Sequence, residues 1–324
     1  MGSVATESSK PALASSDAPP VAAHAVEFRY GARVTLRDVH AQVQHGEVFG
    51  VIGPNGAGKS TLLRLLAGLA APAAGQLAWF GAPAMTSAVR RRIGYLPDDA
   101  ALFDELTGLE NLRLFARIRR LALASDAAPA EARAVGLTDS QLQAVTSSYS
   151  FGMRRKLALA QTLVGSPELL LLDEPTIGLD PNARDRLVAL IAERKKHGAT
   201  VIASNDLRVV EDACDRVAFL DAGQVVLQGQ PHELLAPLRR AVTFVVTTRE
   251  PCRPFALGDA EVSTIDERSV HIRSSRGASL LPHLIETMLR AGNTIETVAV
   301  RPPDLSDVFR QVTGTDWLAS EAGT

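Results

Sequence analysis

The sequence predicts an α/β fold with a central parallel sheet, followed by a smaller α+β domain. The apolar run EVFGVIG enters a glycine-rich turn at residues 53–61, and LLRLLAGL then follows at helical spacing. Four leucines at residues 169–172 form a continuous apolar run, as buried parallel strands do. After residue 238, short alternating segments surround the amphipathic run LLPHLIETMLRAG, which favours antiparallel strands packed on a helix.

The composition is that of a globular protein of roughly two structural units. The chain has 324 residues, of which 46% are hydrophobic, so it can bury a sizeable core. With a net charge of −2, the chain lacks the overall positive charge that is typical of nucleic-acid-binding proteins, and no nucleic-acid partner is expected. No stretch approaches the roughly 18 to 20 apolar residues of a spanning helix, so any membrane role requires a partner. Two cysteines, Cys214 and Cys252, are typical of a reducing compartment rather than a disulfide framework.

We expect four segments along the chain. Residues 1–23 lack the basic start and apolar core of a signal peptide and are interpreted as a disordered tail in the cytoplasm. The main domain covers residues 24–238 and begins with AVEFRYG and VTLRDVHAQVQ, which favour an antiparallel β pair. Apolar residues at i, i+3 and i+4 make residues 104–147 largely helical. An α+β domain at residues 239–316 and a tail at residues 317–324 complete the chain.

The glycine-rich turn carries the phosphate-binding pattern G-x-x-x-x-G-K-[ST]. Its residues are Gly53, Pro54, Asn55, Gly56, Ala57, Gly58, Lys59, Ser60 and Thr61. The glycines let backbone N–H groups surround phosphate oxygens, and the following helix presents its positive end to the same anion. Lys59 is predicted to reach the β and γ phosphates, Ser60 to bind Mg²⁺, and Thr61 to support the neighbouring phosphate. The strand before the turn and the helix after it favour a P-loop over an ordinary glycine-rich turn.

Two acids end the second apolar run, in the string LLLLDEP. Ligands of open α/β sheets bind at the carboxyl ends of the strands. Asp173 is therefore placed to hold the shell of Mg²⁺, and Glu174 to polarise an attacking water. The pair could instead be a solvated strand end, but the P-loop upstream favours the catalytic interpretation.

Four motifs in this order resemble those of ATP-binding subunits of ABC transporters. They are GPNGAGKST, the signature-like YSFGM at residues 149–153, LLLLDEP, and GLD at residues 178–180. The resemblance implies a P-loop NTPase cassette, with a RecA-like core, an antiparallel β subdomain and a helical subdomain at about residues 100–165. It implies ATP and Mg²⁺ as cofactors and transport-coupled ATP hydrolysis. Since the family pairs each P-loop with the signature of a second cassette, it also implies a homodimer or heterodimer.

The resemblance assigns further residues one at a time. Tyr30 matches the aromatic that stacks on adenine, although it could instead pack at a sheet edge. Ser150, Gly152 and Met153 lie in the signature motif. In the family, the positions of Ser150 and Gly152 contact the γ-phosphate on the opposite subunit, and Ser150 is also an N-cap candidate. Asp180 matches the aspartate that links the two sites.

Three positions depart from the family pattern. Asp98 stands where a glutamine is expected, and its carboxylate can still approach Mg²⁺ unless it is merely a solvated loop acid. Phe151 replaces a signature glycine. Asn205 replaces the switch histidine, and an asparagine can donate a hydrogen bond to a phosphate oxygen but carries no ionisable proton. We therefore expect good Mg-ATP binding with slow hydrolysis, or function opposite a second cassette with a complete site.

The resemblance implies a separate integral-membrane permease as partner and a peripheral position on the cytoplasmic face of the membrane. PPDLSDVFRQVTG at residues 302–314 resembles the C-terminal extension of subunits from two-component exporters of drugs, lipids and polysaccharides. One alternative is a regulatory ATP-binding subunit with weak hydrolysis. Another is a non-transport ABC ATPase, which the single cassette and the lack of a coiled-coil insertion disfavour.

A group of arginines follows the expected start of the helical subdomain. Its members are Arg113, Arg117, Arg119 and Arg120. They are interpreted as a solvated helix face or as a contact to the partner or to lipid headgroups.

Overall fold

The computed structural model describes residues 18–121, 127–238, 241–258 and 260–314. The chain divides into two compact units, Met1–Val225 and Val226–Thr324, whereas the sequence placed the boundary after residue 238. The predicted tail at residues 317–324 lies outside the described residues.

Alternating strands and helices build the first unit, as the sequence predicted. Its strands are β1 (Val21–Tyr30), β2 (Arg33–Val43), β3 (Val48–Ile52), β4 (Ala74–Trp79), β5 (Ile93–Leu96), β6 (Leu169–Asp173), β7 (Ala199–Ala203) and β8 (Arg216–Asp221), and β9 (Gln224–Gly229) crosses the boundary. Its helices are α1 (Lys59–Leu66), α2 (Ser87–Arg91), α3 (Gly108–Ile118), α4 (Ala127–Ala134), α5 (Asp139–Gln143), α6 (Phe151–Leu163), α7 (Pro181–Arg194) and α8 (Leu207–Ala213).

The main sheet has the strand order β5-β6-β7-β3-β8-β9. The pairs β3/β7, β3/β8, β5/β6 and β6/β7 are parallel. Every residue of β3, β6 and β7 is buried, as expected for apolar strands that are covered on both faces. Because these three neighbours run in one direction, the P-loop, the acids of β6 and the turn at residues 204–206 meet at one edge.

A three-stranded antiparallel sheet has the order β2-β1-β4. Its first strand corrects the predicted tail at residues 1–23, because β1 already begins at Val21. Val21 and Ala23 are buried and pair with residues of both β2 and β4. Because Val21 and Ala23 are buried against two neighbouring strands, residues 21–23 belong to the sheet and not to the tail.

The segment predicted to be helical, residues 104–147, contains α3, α4 and α5, and α6 follows within the predicted helical subdomain. Thr107 starts α3 with a capping box, in which Thr107 accepts from the Glu110 N–H and the Glu110 carboxylate accepts from the Thr107 N–H at 2.8 Å. Leu112 and Ala116 follow at i, i+4 spacing on the buried face of this helix. Across the described ranges, we find no helix whose length and apolar character would let it cross a membrane.

The second unit is α+β, as predicted from the alternating segments. Its elements are α9 (Pro231–Leu235), β10 (Val242–Thr248), β11 (Glu261–Thr264), β12 (Ser269–Ser274), α10 (Leu281–Arg290), β13 (Ile295–Arg301) and α11 (Leu305–Thr313). The strands form an antiparallel sheet of order β11-β12-β10-β13. Phe244 and Ile272 of this sheet pack with Leu284 and Met288 of α10 in a separate apolar core.

Candidate nucleotide-binding site

The turn between β3 and α1 requires glycine at two positions. Gly58 precedes α1 with φ 110°, and a Cβ there would lie 2.8 Å from the Leu36 side chain. A Cβ on Gly53 would lie 2.1 Å from the carbonyl oxygen of Leu220. The close approach of β2 and β8 therefore explains why the phosphate-binding pattern has glycines at its ends.

Lys59 is a buried cation at the first position of α1, with only 7% of its surface exposed. Its Nζ donates to the carbonyl oxygen of Gly53 at 2.7 Å and to Oδ1 of Asn205 at 2.6 Å. Glu174 Oε1 lies 3.9 Å from the same nitrogen. These contacts hold the ammonium group between the P-loop, β6 and the turn after β7.

The two acids at the end of β6 have different partners. Asp173 is 1% exposed, and its Oδ1 accepts a hydrogen bond from Ser60 Oγ at 3.1 Å. Glu174 Oε2 accepts from Ser204 Oγ at 3.2 Å and from the Asn205 backbone N–H at 3.1 Å. Burial raises the pKa of both carboxyls above their ordinary values. The hydrogen bonds thus position Glu174, while its partial desolvation makes it a stronger base than an exposed glutamate.

The backbone at Glu174 adopts the left-handed conformation, with φ 46°. This conformation is rare for a residue with a Cβ and costs about 1 kcal/mol or more. The chain leaves β6 at this point while the Glu174 N–H still donates to the Ala203 carbonyl at 2.8 Å. Glu174 is therefore held at the strand end by backbone and side-chain contacts with the segment that follows β7.

Asn205 joins two parts of the P-loop. Since an ammonium group is only a donor, the atom that faces Lys59 must be the amide oxygen. This fixes the orientation of the amide, and Nδ2 donates to Asn55 Oδ1 at 2.8 Å. Asn205 therefore accepts from the lysine of the P-loop and donates to its asparagine.

A cavity of about 500 Å³ opens in front of these groups. It is lined by Tyr30, Arg33, Thr35, Asn55, Gly56, Gly58, Lys59, Ser60, Thr61, Asp98 and Glu174. Arg33 and Thr35 come from β2 and were not predicted. The Thr35 hydroxyl is buried and has no hydrogen-bond partner among the described residues, as expected beside a site for a polar ligand.

Tyr30 stands at the end of β1 with 49% of its surface exposed. Its ring meets Phe28 edge-to-face at 4.9 Å, and its hydroxyl accepts from Arg64 at 3.4 Å. This hydrogen bond lowers the pKa of the Tyr30 hydroxyl. The ring thus rests partly on the sheet edge and also lines the cavity, so stacking on a base stays a prediction.

The signature motif begins helix α6, and its residues do not belong to the cavity lining described above. Ser150 is the N-cap and accepts from the Met153 N–H at 3.3 Å. Phe151 is 64% exposed, and its ring lies against Gly178, where a Cβ would stand 2.2 Å from Cε1. A Cβ on Gly152 would lie 2.9 Å from the Gly178 carbonyl oxygen. The signature motif therefore packs closely on the GLD segment of the same chain.

Asp180 ends the GLD segment as the N-cap of α7. Its Oδ1 accepts from the Ala183 N–H at 2.9 Å, and Lys156 Nζ donates to Oδ2 at 3.4 Å. The Ala183 N–H lowers the pKa of the Asp180 carboxyl. Asp180 also lies apart from the residues that line the cavity, and its predicted role between two sites stays a prediction.

Arg155 is a central residue that the sequence reasoning missed. Only 6% of it is exposed, and it donates to the carbonyl oxygens of Pro97 at 3.0 Å, Asp98 at 2.9 Å, Asp173 at 2.6 Å and Glu174 at 2.7 Å. It ties the loop of Asp98 to the strand end of the two acids. The available signal was its spacing, because Arg155 precedes the buried Leu159 by one helical turn.

The oxygen groups around Ser60 suit a magnesium ion. Mg²⁺ is usually bound by one or two carboxylates together with phosphates and waters. The buried Asp173 carboxylate beside the Ser60 hydroxyl, with Asp98 on the wall of the same cavity, offers this set of ligands. The residues present therefore fit the predicted metal.

Sequence comparisons match most of this chain to known proteins. The family model described as "ABC transporter" matches residues 36–177. The chain is 36% identical over 309 residues to the daunorubicin resistance ATP-binding protein DrrA3 of Streptomyces coeruleorubidus, covering 91% of this chain and 96% of that protein. It is 30% identical over 303 residues to the Nod factor export ATP-binding protein I of Rhizobium johnstonii, covering 90% and 94%.

Solved structures share the fold of this chain. One, described as the ATP-binding subunit of an ABC transporter, has a TM-score of 0.62 at 31% identity and covers 67% of this chain and 92% of that one. A bacterial Atm1-family ABC exporter with ATP bound has a TM-score of 0.63 at 26% identity, covering 70% and 41%.

Proposed function

This chain belongs to the ATP-binding proteins of the ABC transporter family, and we propose that it binds and hydrolyses Mg-ATP to drive a separate membrane permease of an exporter. The observation that carries the proposal is the convergence of Lys59, Ser60 and Glu174 on one cavity, with Asp173 hydrogen-bonded to Ser60. The named relatives add the export direction, since they are a drug-resistance protein and a Nod factor export protein.

Each group has a separate task in this proposal. The P-loop N–H groups and Lys59 bind the phosphates. Ser60, Asp173 and Asp98 would hold Mg²⁺, which neutralises charge on the β and γ phosphates. Glu174, positioned by Ser204 and by the Asn205 N–H, accepts a hydrogen bond from the attacking water and withdraws its proton.

A second cassette and a permease complete the proposed assembly. The open N-terminus of α6, with Ser150 and Gly152, supports a role toward the nucleotide of another cassette, because backbone N–H groups there face outward from the helix. The partner cassette is a second copy or a related chain. The complex is placed on the cytoplasmic face of the cell membrane through the permease.

The rate of hydrolysis depends on Asn205. Its amide oxygen accepts from Lys59, and its amide nitrogen donates to Asn55. The P-loop keeps the lysine that binds phosphate, whereas the amide of Asn205 supplies no ionisable proton to the transition state. This arrangement supports efficient binding with slow hydrolysis, and it favours the regulatory subunit as the second candidate.

The first experiment separates binding from chemistry in the purified full-length protein. Lys59→Ala is expected to weaken Mg-ATP binding by at least tenfold, because it removes a cation from the phosphates. Glu174→Gln is expected to keep nucleotide affinity and to lower hydrolysis by about 10²- to 10⁴-fold. Equilibrium binding and steady-state phosphate release measure the two effects. Wild-type affinity in Lys59→Ala would contradict the assignment of the cavity.

The second experiment tests the departure at Asn205. Asn205→His is expected to raise the turnover rate several-fold, since an imidazole restores a group that can exchange a proton near neutral pH. The added activity should follow a titration near the ordinary histidine value of about 6.5. Asn205→Gln, which keeps the amide chemistry, is the matched control. A wild-type rate equal to or above that of Asn205→His would rule out the slow-hydrolysis proposal.

A further inference from the structure

A cleft of about 310 Å³ in the first unit is distinct from the nucleotide cavity. Its lining residues are Ser87, Arg90, Arg91, Ile118, Arg119 and Arg120, and we name this set the arginine cleft. Among the described residues, the lining contains four arginines and no acid, although the whole chain has a net charge of −2. The cleft is therefore a local positive site on a slightly acidic protein.

Arg119 forms the fixed part of this cleft. Its guanidinium donates to the carbonyl oxygens of Ile93 at 2.5 Å and Val164 at 3.2 Å. It also donates to the Arg91 carbonyl at 3.3 Å. Arg119 thus differs from the exposed basic face that the sequence suggested, because its side chain joins the end of α3 to the segment after α2.

The other three arginines keep their charged groups available. Arg90, Arg91 and Arg120 are exposed, and within the described ranges their side chains form no ion pair and no hydrogen bond. The adjacent Arg92 behaves differently, since Glu168 binds it through two hydrogen bonds of 2.6 and 2.7 Å. The chain therefore neutralises one arginine of this run and leaves its neighbours free to bind an anion.

The backbone also orients Arg120 at some cost. It follows α3 in the left-handed conformation, with φ 54°. Helices that end in this way usually have glycine at this position, and a residue with a Cβ is strained there. Attraction to the negative helix end accounts for arginines near the ends of α2 and α3. It does not account for a common cleft whose described lining has no acid, or for an arginine at a position that favours glycine.

We propose that the arginine cleft binds the phosphate of an anionic phospholipid headgroup. Guanidinium groups bind phosphate oxygens through paired, charge-assisted hydrogen bonds, and the Ser87 hydroxyl can add a further one. Ile118, beside the arginines, is 63% exposed, which suits the boundary between headgroups and acyl chains better than a site for a free phosphate. The choice of lipid rests on the proposed position of the protein beside a membrane permease.

Vesicle binding by the full-length protein tests this proposal. The probes are vesicles of phosphatidylcholine alone and of phosphatidylcholine mixed with phosphatidylglycerol. Wild type is expected to bind the mixed vesicles selectively. A variant with Arg90→Gln, Arg91→Gln and Arg120→Gln should bind them about tenfold to 100-fold more weakly, because each arginine near an anionic surface contributes about 1 kcal/mol.

A matched variant with Arg37→Gln, Arg249→Gln and Arg276→Gln removes the same charge at exposed positions elsewhere and should bind like wild type. Equal losses in both variants, or no lipid selectivity in wild type, would overturn the proposal. Soluble glycerol phosphate distinguishes a lipid headgroup from a free phosphate as the ligand. If the protein bound glycerol phosphate tightly but did not bind vesicles, the choice of lipid would be overturned. ATP hydrolysis without vesicles is measured on the same proteins, and it should be unchanged in both variants. If the wild-type protein did not hydrolyse ATP, the proposed function would be contradicted, whatever the result with vesicles.

Discussion

The P-loop cavity and the N-terminus of α6 differ in how completely one chain builds them. In the cavity, Lys59, Ser60 and Glu174 all have partners from other strands or turns of the same unit. At α6, Ser150 caps its own helix and Phe151 projects from the first turn with most of its surface exposed. The cavity is thus lined by partners from its own unit, whereas the signature motif begins a helix whose N-cap and first residue are exposed.

This difference supports the proposal that the nucleotide site is divided between two chains. A cavity that positions its own cation and acids can select Mg-ATP alone. An exposed helix start can only add contacts to a phosphate supplied from outside. Variants of the two regions should therefore separate nucleotide affinity from turnover.

Among the variants that compare these two regions, a substitution in the GLD segment should change the rate most. Gly178→Ala places a Cβ 2.2 Å from the Phe151 ring, on a backbone with φ 76°. The ring or the segment must shift, and a displacement of about 1 Å near a catalytic arrangement can cost about 100-fold in rate. We expect steady-state hydrolysis to fall by about this factor while the affinity of the cavity for Mg-ATP stays at the wild-type value.

Phe151→Gly is the control for this prediction, because it removes the ring that the new Cβ would meet. The double variant should recover part of the rate lost in Gly178→Ala, and a double-mutant cycle measures the coupling. Additive effects of the two substitutions would show that the ring contact is not responsible.

A smaller effect is expected at the edge of the cavity. Tyr30→Ala should weaken Mg-ATP binding by about tenfold, since stacking of a base on an aromatic ring is worth about 1 to 3 kcal/mol. Tyr30→Phe keeps the ring and loses the hydroxyl, which contacts Arg64 and Thr61, so it should bind almost like wild type. Equilibrium titration with a fluorescent ATP analogue measures both. If Tyr30→Ala and wild type had equal affinities, the ring would only pack on the sheet and would not bind the base.

The smallest effect concerns stability as a function of pH. Burial raises the pKa of Glu174 above its ordinary value of 4.5, so the folded state holds this proton at a pH where the unfolded state has released it. Stability therefore decreases as pH rises from 4.5 through the raised pKa, and the full cost is present above it. Glu174→Gln should raise Tm slightly at pH values above this window, and the gain should vanish below it. Thermal unfolding without nucleotide measures the difference, and Asp139→Asn at an exposed position is the control. If the gain in Tm persisted at low pH, it would come from packing and not from the titration of Glu174.

The parts of the fold that follow from local pattern were predictable. The P-loop and the acid pair each lie within a few residues of a strand end, and parallel strands bring such ends to one edge. The alternation in the second unit likewise marked its strands, because each strand has one buried face.

Contacts between distant segments could not be predicted in the same way. Thr35 lines the cavity from a strand whose pairing with β1 contains register shifts, so alternation alone does not show which side chains face inward. The ring contact of Phe151 with Gly178 depends on how α6 packs on another loop. The arginine cleft likewise combines α2 with the end of α3, which lie far apart in the sequence.

Arg155 has a mechanical consequence beyond its hydrogen bonds. Its planar guanidinium is short and rigid, and it is fixed at one end to Asp98 and at the other to Glu174. A force applied to the loop of Asp98 would therefore displace the end of β6 as well, without passing through the nucleotide. Through this one side chain, movement of the loop of Asp98 and alignment of Glu174 become parts of the same motion.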